Sequence, residues 1–170
     1  SLPSWRVTAT SRWPFRSTQL TSVRPAAMEP LNLSDVATDC VLAFEPVAFE
    51  EGKPLEERIA AGITVVGDAD RLRRLISILL DNAVKHAQNR VGLCLEAAPE
   101  RDRVVISIEN DGDAIPGIYF GKIFEPFFQI KGDAKGGTGL GLSLVKHLVE
   151  QHEGNISVFS DASSSRFVVD

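Results

Sequence analysis

The sequence predicts an α+β domain, a two-layer α/β sandwich in which about three helices lie on one face of a mixed, mostly antiparallel sheet. Apolar residues recur at helical spacing in three segments, and they alternate with polar residues in several short runs. Short, turn-rich connections join neighbouring alternating runs, which is typical of antiparallel hairpins. With 170 residues, 44% of them hydrophobic and 24% charged, the chain has the composition of one globular domain.

Residues 1–27 differ from the rest of the chain. They carry four Arg and no acidic residue, and they show neither helical nor strand periodicity. An Arg- and Ser-rich, acid-free composition is also found in organelle transit peptides, but a linker or a segment foreign to the domain is the preferred interpretation. We therefore expect the domain to occupy residues 28–170.

The first helix is predicted to begin at Ser34, a good N-cap residue, and to continue with apolar residues at helical spacing as far as Val47. Pro46 is expected to end or kink it. A loop containing Gly and Glu then leads to a short apolar strand at 63–66, which Gly67 stops.

A second helix follows, capped by Asp68 or Asp70. Two alternating runs at 91–95 and 104–108 predict an antiparallel hairpin. A third helix is expected at about 140–151 with Gly154 as its stop signal, and a last hairpin should pair 156–159 with 166–169. The apolar face predicted for the second helix consists of Leu72, Leu75, Ile76, Leu79, Leu80 and Ala83.

Composition excludes several classes of function. Eighteen Lys and Arg against 23 Asp and Glu give a net charge of −5, so we expect no nucleic-acid partner. No apolar run approaches the ~20 residues of a membrane-spanning helix, so we expect a chain that is not itself inserted in a membrane. Cys40 and Cys94 each stand alone in an apolar pattern, and we expect both to be reduced core residues rather than disulfide partners or metal ligands.

Three polar segments interrupt this hydrophobic plan, and the first is 81–86 near the end of the second helix. Asn82 and Lys85 share one helix face, and His86 follows Asn82 by four positions. An amide oxygen can bind Mg²⁺ and an ammonium group can contact a phosphate. Taken alone, however, the segment is better explained as a solvated helix end.

The second segment, 109–116, follows a strand, where polar groups commonly line the mouth of a pocket, although an ordinary turn has the same composition. The third is the glycine-rich segment 136–142, which opens the third helix and could offer backbone amides to a phosphate. It is not a Walker loop, because no Gly-Lys-Ser/Thr follows, and no βαβ unit surrounds it. Eight of the thirteen glycines lie between Gly112 and Gly141.

In their order and context, the three segments resemble the ATP-binding catalytic domain (HATPase_c) of bacterial sensor histidine kinases. That domain belongs to the GHKL superfamily, with DNA gyrase, MutL and the heat-shock chaperone ATPases, and the resemblance implies the Bergerat fold. The matching segments are the N box at 75–87, the G1 box at 110–116, the F box at 123–128, the G2 box at 137–142 and a GTxF-type element at 164–167.

The resemblance also implies residue roles. Asn82 would hold Mg²⁺ and Lys85 would contact a phosphate, which makes these two the catalytic candidates, and His86 takes the position of an aromatic residue packed near the nucleotide. Residues 117–136 would form an ATP lid, anchored by Phe124, Phe127 and Phe128. The other implied nucleotide contacts are Asn110, Gly112, Ala114, Ile115, Gly137, Thr138, Gly139, Leu140, Gly141 and Ser165.

Two features depart from the family pattern. Asn110 replaces the aspartate that accepts a hydrogen bond from the adenine amine, and Ala114 replaces the second glycine of the G1 box. An amide oxygen still accepts but without charge assistance, so weaker adenine affinity is expected. Ile78 stands where the ATPase branch places a water-activating glutamate, which disfavours hydrolysis by the gyrase route.

The implied function is that of an ATP-binding kinase domain, with ATP and Mg²⁺ as cofactors. The γ-phosphate would be presented to a histidine on a separate dimerisation and phosphoacceptor domain of the same kinase, because none of the three histidines here lies in an H-box-like sequence. A response regulator receiver domain would be the next partner, and the location would be cytoplasmic, as part of a membrane-anchored sensor. The alternatives are a catalytically degenerate nucleotide-binding module and an anti-sigma-type Ser/Thr kinase.

Overall fold

A computed structural model describes residues 25–113, 115–128, 141–160 and 164–169, together with the backbone of residues 7 and 8. The strands are β1 (Val7–Thr8), β2 (Glu29–Asn32), β3 (Leu55–Ile59), β4 (Thr64–Gly67), β5 (Val91–Ala98), β6 (Arg103–Asp111), β7 (Ile156–Ser160) and β8 (Ser164–Val169). The helices are α1 (Leu33–Glu50), α2 (Ala69–His86) and α3 (Gly141–Gln151).

Six strands form one sheet in the order β1-β7-β8-β6-β5-β3, and β2 pairs with β4 in a separate two-stranded sheet. Within the six-stranded sheet, β3 and β5 run parallel and the other neighbours run antiparallel. Since α1, α2 and α3 accompany this mixed, mostly antiparallel sheet, the predicted fold class is confirmed. The short strand β1 lies in the segment for which no element was predicted.

The hydrophobic core lies between the helices and one face of the sheet. On β5 and β6 the inward positions alternate as predicted, and the apolar face of α2 is buried in full. Burying a Leu or Ile side chain contributes about 1.5–3 kcal/mol, so α2 is held firmly at the centre of the helical layer. The buried residues of β5, β6 and α2 include Val91, Leu93, Leu95, Ile106, Ile108, Leu72, Leu75, Ile76, Leu79, Leu80 and Ala83.

Helix α1 corrects its predicted N-cap and leaves one of the two predicted effects of Pro46. Asn32, not Ser34, is the N-cap, because the Asn32 side-chain oxygen accepts the N–H of Asp35 at 3.1 Å. Ser34 is buried inside the first turn and its hydroxyl donates to the carbonyl of Ala60 at 2.6 Å. Pro46 does not end the helix, which continues to Glu50, because Pro46 is exposed and water can satisfy the carbonyl that its ring leaves unpaired.

The two cysteines are free, as expected, but only Cys40 is a core residue. Cys94 is half-buried, because it lies on the β5 face opposite to the inward side chains. Burial raises the pKa of both thiols above the ordinary value of 9.0. Among the described residues, no helix is long and apolar enough to cross a membrane.

Candidate functional site

The candidate site lies along one side of helix α2. Ile78, Asn82 and His86 are four residues apart, so their side chains follow one side of the helix over about 12 Å. A Cβ added to Gly112 would lie 2.7 Å from the carbonyl oxygen of His86, and one added to Gly141 would lie 3.2 Å from Cγ2 of Ile78. The half-buried Asn82 therefore lies between the turn that follows β6 and the start of α3.

Gly112 is required by its conformation as well as by its neighbours. It is buried, and its φ of +126° lies in a region that side chains with a Cβ rarely adopt. Only glycine allows the turn after β6 to approach the end of α2 this closely.

A pair of buried polar side chains lies next to this turn. Asn110, at the last inward position of β6, is 4% exposed, and Ser165, opposite it on β8, is 5% exposed. The amide nitrogen of Asn110 donates to the carbonyl oxygen of Asp111 at 2.8 Å, so its amide oxygen is the remaining acceptor. The other buried polar side chains of the described residues have structural partners: Asp68 caps α2, and Ser34 joins α1 to the loop before β4.

Ser160 joins this pair to the segment after the turn, a role that the sequence analysis missed. Its hydroxyl accepts the N–H of Ile115 at 2.8 Å and forms a 2.8 Å hydrogen bond with the hydroxyl of Ser165. The signal that could have found it is the register of the last hairpin, which sets Ser160 opposite Ser165. Three predicted site residues, Asn110, Ile115 and Ser165, are thus brought together.

Asp111 points away from that pair and serves the connection between α2 and β5. One carboxylate oxygen accepts the backbone N–H groups of Gln88, Asn89 and Arg90 at 3.1, 2.9 and 3.0 Å. Burial acts to raise the pKa of Asp111, but these hydrogen bonds favour the ionised form more strongly and hold the pKa below its ordinary value. Asn110 is thus the inward residue of the two, and Asp111 faces the connection.

Lys85 and His86 follow Asn82 at the end of α2. The ammonium group of Lys85 lies 2.8 Å from a carboxylate oxygen of Asp81, and both side chains are about half exposed. Such a surface pair contributes about 0.3–0.5 kcal/mol, so it can be broken at little cost by a stronger anion. His86 is half-buried beside the turn that carries Gly112.

The aromatic residues after this turn are divided between core and surface. Phe124 is buried, and Phe128 is half-buried with its ring 5.5 Å from that of Tyr119. Phe127 is 73% exposed at a φ of +64°, so the expected cluster of three phenylalanines was wrong at this position. Its backbone conformation turns the side chain out of the small core formed by its neighbours.

Several predicted contacts cannot be located. Ala114, Gly137, Thr138, Gly139 and Leu140 lie outside the described residues, as does the part of the expected lid from 129 onwards. In the part of the chain that is described, no group of three or more His, Cys, Asp or Glu side chains could hold a metal ion.

The structure is thus an α+β domain, a two-layer sandwich in which the buried polar side chains of Asn110 and Ser165 lie beside one end of a central helix. A model of the family HATPase_c, "Histidine kinase-, DNA gyrase B-, and HSP90-like ATPase", matches residues 67–169. The chain belongs to this family, and the assignment made from its sequence motifs is confirmed.

Similar proteins include several sensor kinases. Sensor protein DltS of Streptococcus agalactiae is 30% identical over 141 residues, which cover 82% of this chain and 36% of DltS. Sensor histidine kinase CusS of Escherichia coli is 32% identical over 145 residues, covering 82% of this chain and 29% of CusS. The chain thus spans about a third of the length of these relatives.

Two solved structures share the fold. Full-length ShkA in complex with AMPPNP has a TM-score of 0.77 at 24% identity, covering 88% of this chain and 32% of ShkA. The catalytic domain of histidine kinase ThkA has a TM-score of 0.71 at 26% identity, covering 84% of this chain and 95% of that domain.

Proposed function

We propose that this domain binds Mg²⁺-ATP and, as the catalytic part of a sensor histidine kinase, presents the γ-phosphate to a histidine on a separate domain. The observation that carries the proposal is the buried pair Asn110 and Ser165, which lies beside a glycine turn packed on the helix that carries Asn82. The Asn110 amide nitrogen and the Ser165 hydroxyl make hydrogen bonds within the fold, and the amide oxygen of Asn110 remains as an acceptor for a ligand.

The base would be bound by the buried pair. Since the amide nitrogen of Asn110 donates to the carbonyl of Asp111, the amide oxygen is the acceptor for the 6-amino group of adenine. Ser165 supplies a hydroxyl on the neighbouring strand, directly opposite Asn110. Because this acceptor is neutral, we expect weaker adenine binding than a carboxylate would give.

The phosphates would lie along α2 towards the start of α3. Asn82 offers one half-buried amide oxygen, which suits Mg²⁺, an ion that keeps several waters and takes other ligands from phosphates. When bound, the ion would neutralise charge on the phosphates. Lys85 would leave Asp81 and contact a phosphate oxygen, a change that costs little for an exposed ion pair.

The phosphoryl acceptor would come from outside this chain. Ile78 places an apolar side chain one turn before Asn82, so α2 offers no carboxylate there to activate water. Both ring nitrogens of His152 are engaged, one with the carbonyl of Leu148 at 2.8 Å and the other with the N–H of Asp68 at 3.1 Å. His86 and His147 are half-buried residues of helices α2 and α3.

Titration calorimetry of the full chain tests the nucleotide site. Wild type should bind ATP in a Mg²⁺-dependent manner, and Asn82→Ala should lose that dependence because the amide oxygen is removed. Asn155→Ala is the matched control, since Asn155 is an exposed asparagine next to β7. Unchanged Mg²⁺-dependent binding by Asn82→Ala would remove Asn82 from the site.

A second assay tests the phosphoryl transfer. With labelled ATP, we expect no phosphohistidine on this chain alone, and label on the acceptor when a histidine-bearing domain of a sensor kinase is added. Stable label on this chain would contradict the assignment of an external acceptor. Tight ATP binding without transfer to any such domain would instead favour the nucleotide-binding module.

A further inference from the structure

We propose that Ser160 is a positioning residue for the base of the nucleotide, because its hydroxyl ties the segment after the β6 turn to the residue opposite Asn110. The proposal rests on the nucleotide site proposed above, and it adds a residue that lies outside every motif by which the site was found. Ser160 is the last residue of β7, and it is 45 residues from Ile115 along the chain.

Two short hydrogen bonds carry the proposal. The N–H of Ile115 donates to the Ser160 hydroxyl oxygen at 2.8 Å, and the hydroxyls of Ser160 and Ser165 are 2.8 Å apart. Both bonds are partly buried, and Ser165 itself is 5% exposed. Through one oxygen atom, they connect Ile115, which follows the β6 turn, to Ser165 on β8. These two residues would lie on separate sides of the bound base.

The chemistry of a hydroxyl explains why this oxygen matters. It has one proton and two lone pairs, and the N–H of Ile115 uses one lone pair. In the bond with Ser165 either hydroxyl can donate, and in both cases the bond holds the Ser165 oxygen beside Ser160. Removing the Ser160 oxygen would leave the N–H of Ile115 without this acceptor and would let the Ser165 hydroxyl rotate.

The expected consequence is a loss of base discrimination. The amide oxygen of Asn110 distinguishes adenine, which carries an amino group at position 6, from guanine, which carries a carbonyl there. Asn110 can distinguish the two bases only if Ile115 and Ser165 hold the base against its amide oxygen. When Ser160 no longer joins Ile115 to Ser165, ATP should lose more affinity than GTP.

The experiment compares Ser160→Thr with Ser160→Val in the full chain. Threonine and valine have the same shape and both favour strands, so the pair differs in the hydroxyl alone. Ser157→Val is the matched control, because Ser157 is a half-buried serine of the same strand that points to the other face. Affinities for Mg²⁺-ATP and Mg²⁺-GTP are measured by competition with a fluorescent nucleotide, and folding is checked by thermal unfolding.

We expect Ser160→Val to weaken ATP binding about tenfold and to lower the ratio of ATP to GTP affinity by a similar factor, as the loss of a buried hydrogen-bonded hydroxyl predicts. Ser160→Thr and Ser157→Val should keep the wild-type ratio. Equal ATP affinity in Ser160→Val and Ser160→Thr would overturn the proposal, and so would a loss shared equally by ATP and GTP.

The outcomes also separate this proposal from the proposed function. If wild type binds ATP and the ratio does not change in Ser160→Val, only the role of Ser160 fails; if wild type binds no nucleotide, both fail. Should Ser160→Val not fold, hydrogen exchange of the Ile115 amide in wild type decides. Protection comparable to that of the β6 amides supports the bond to Ser160, and exchange at the rate of an open loop overturns it.

Discussion

Replacing Gly112 by alanine is the most direct test of how the turn after β6 packs on α2. The new Cβ would lie 2.7 Å from the carbonyl oxygen of His86, a backbone atom that cannot rotate away. The φ of +126° adds strain for any residue with a Cβ. A strained backbone costs about 1–3 kcal/mol and overpacking about 1–3 kcal/mol more, so the free energy of unfolding should fall by about 2–6 kcal/mol.

Alanine substitutions at two other glycines separate the contribution of backbone strain from that of overpacking. A Cβ at Gly52 meets nothing within 4 Å, but its φ is +71°, so Gly52→Ala isolates the backbone term of about 1–2 kcal/mol. Gly117 also has open space and no positive φ, so Gly117→Ala should change stability by less than about 0.5 kcal/mol.

Urea unfolding of the three variants, read at constant m-value, gives the differences in free energy. Gly112→Ala should be the least stable, followed by Gly52→Ala and Gly117→Ala. If Gly112→Ala lost no more free energy of unfolding than Gly52→Ala, Gly112 would not approach the carbonyl of His86 closely. The turn would then not align the base site with Asn82. Where Gly112→Ala remains folded, its ATP affinity should fall as well, because the turn is pushed away from α2.

Three further predictions concern charge at and near the site. Asn110→Asp should bind adenine nucleotides more tightly at neutral pH, because a carboxylate makes a charge-assisted bond to the adenine amine, and calorimetry showing equal affinity would contradict the base assignment. Asp81→Asn frees Lys85 from its ion pair and should tighten ATP binding about twofold in the same assay; weaker binding would argue against a phosphate contact by Lys85. Because the pKa of Asp111 is lowered in the folded state, its ionised form stabilises the fold above the ordinary value of 3.8, and that contribution is lost as pH falls through the folded pKa. In urea unfolding between pH 3 and 7, the stability advantage of wild type over Asp111→Asn should therefore be constant near neutrality and shrink below pH 4, whereas a constant difference would refute the shift.

The elements with strong periodicity could be predicted from the sequence. Helix α2 carries an apolar residue at nearly every inward position, and the capping side chain of Asp68, which accepts the N–H of Arg71 at 3.2 Å, starts it as predicted. The β5–β6 hairpin was equally clear, because inward and outward residues alternate along both strands. In such segments local propensity and tertiary burial favour the same structure.

The elements that were missed owe their structure to distant partners. In β3 three exposed charged residues separate Leu55 from Ile59, so the strand has no alternating pattern and forms through its parallel pairing with β5. Helix α3, by contrast, ends at Gln151 as predicted, and the N–H of Gly154 closes a local turn on the carbonyl of Val149 at 3.0 Å, with Glu153 as the left-handed residue. In β3, therefore, a contact made elsewhere in the fold overrides the local signal.

In the candidate site, too, some residues could be predicted from the sequence and others were missed. The residues of each motif could be named from the sequence, because glycines and polar groups interrupt an otherwise apolar pattern. The contribution of Ser160 was missed, because a serine at a strand end has many possible partners, although the register of β7 with β8 sets it opposite Ser165. Sequence motifs identify groups that touch a ligand more readily than groups that hold those contacts in place.

The two ends of the proposed nucleotide site, the turn at Gly112 and the start of α3 at Gly141, pack on α2 in physically different ways. A Cβ added at Gly112 would meet a backbone oxygen of the helix, which cannot adjust, whereas a Cβ added at Gly141 would meet a methyl group of Ile78, which can. The base end is further fixed by the hydrogen bonds of Asn110, Ser160 and Asp111. We therefore expect a nucleotide to find the base end preformed and to displace the α3 end when its phosphates bind, so that substitutions at Ile78 should alter the affinity for phosphates while leaving base discrimination unchanged.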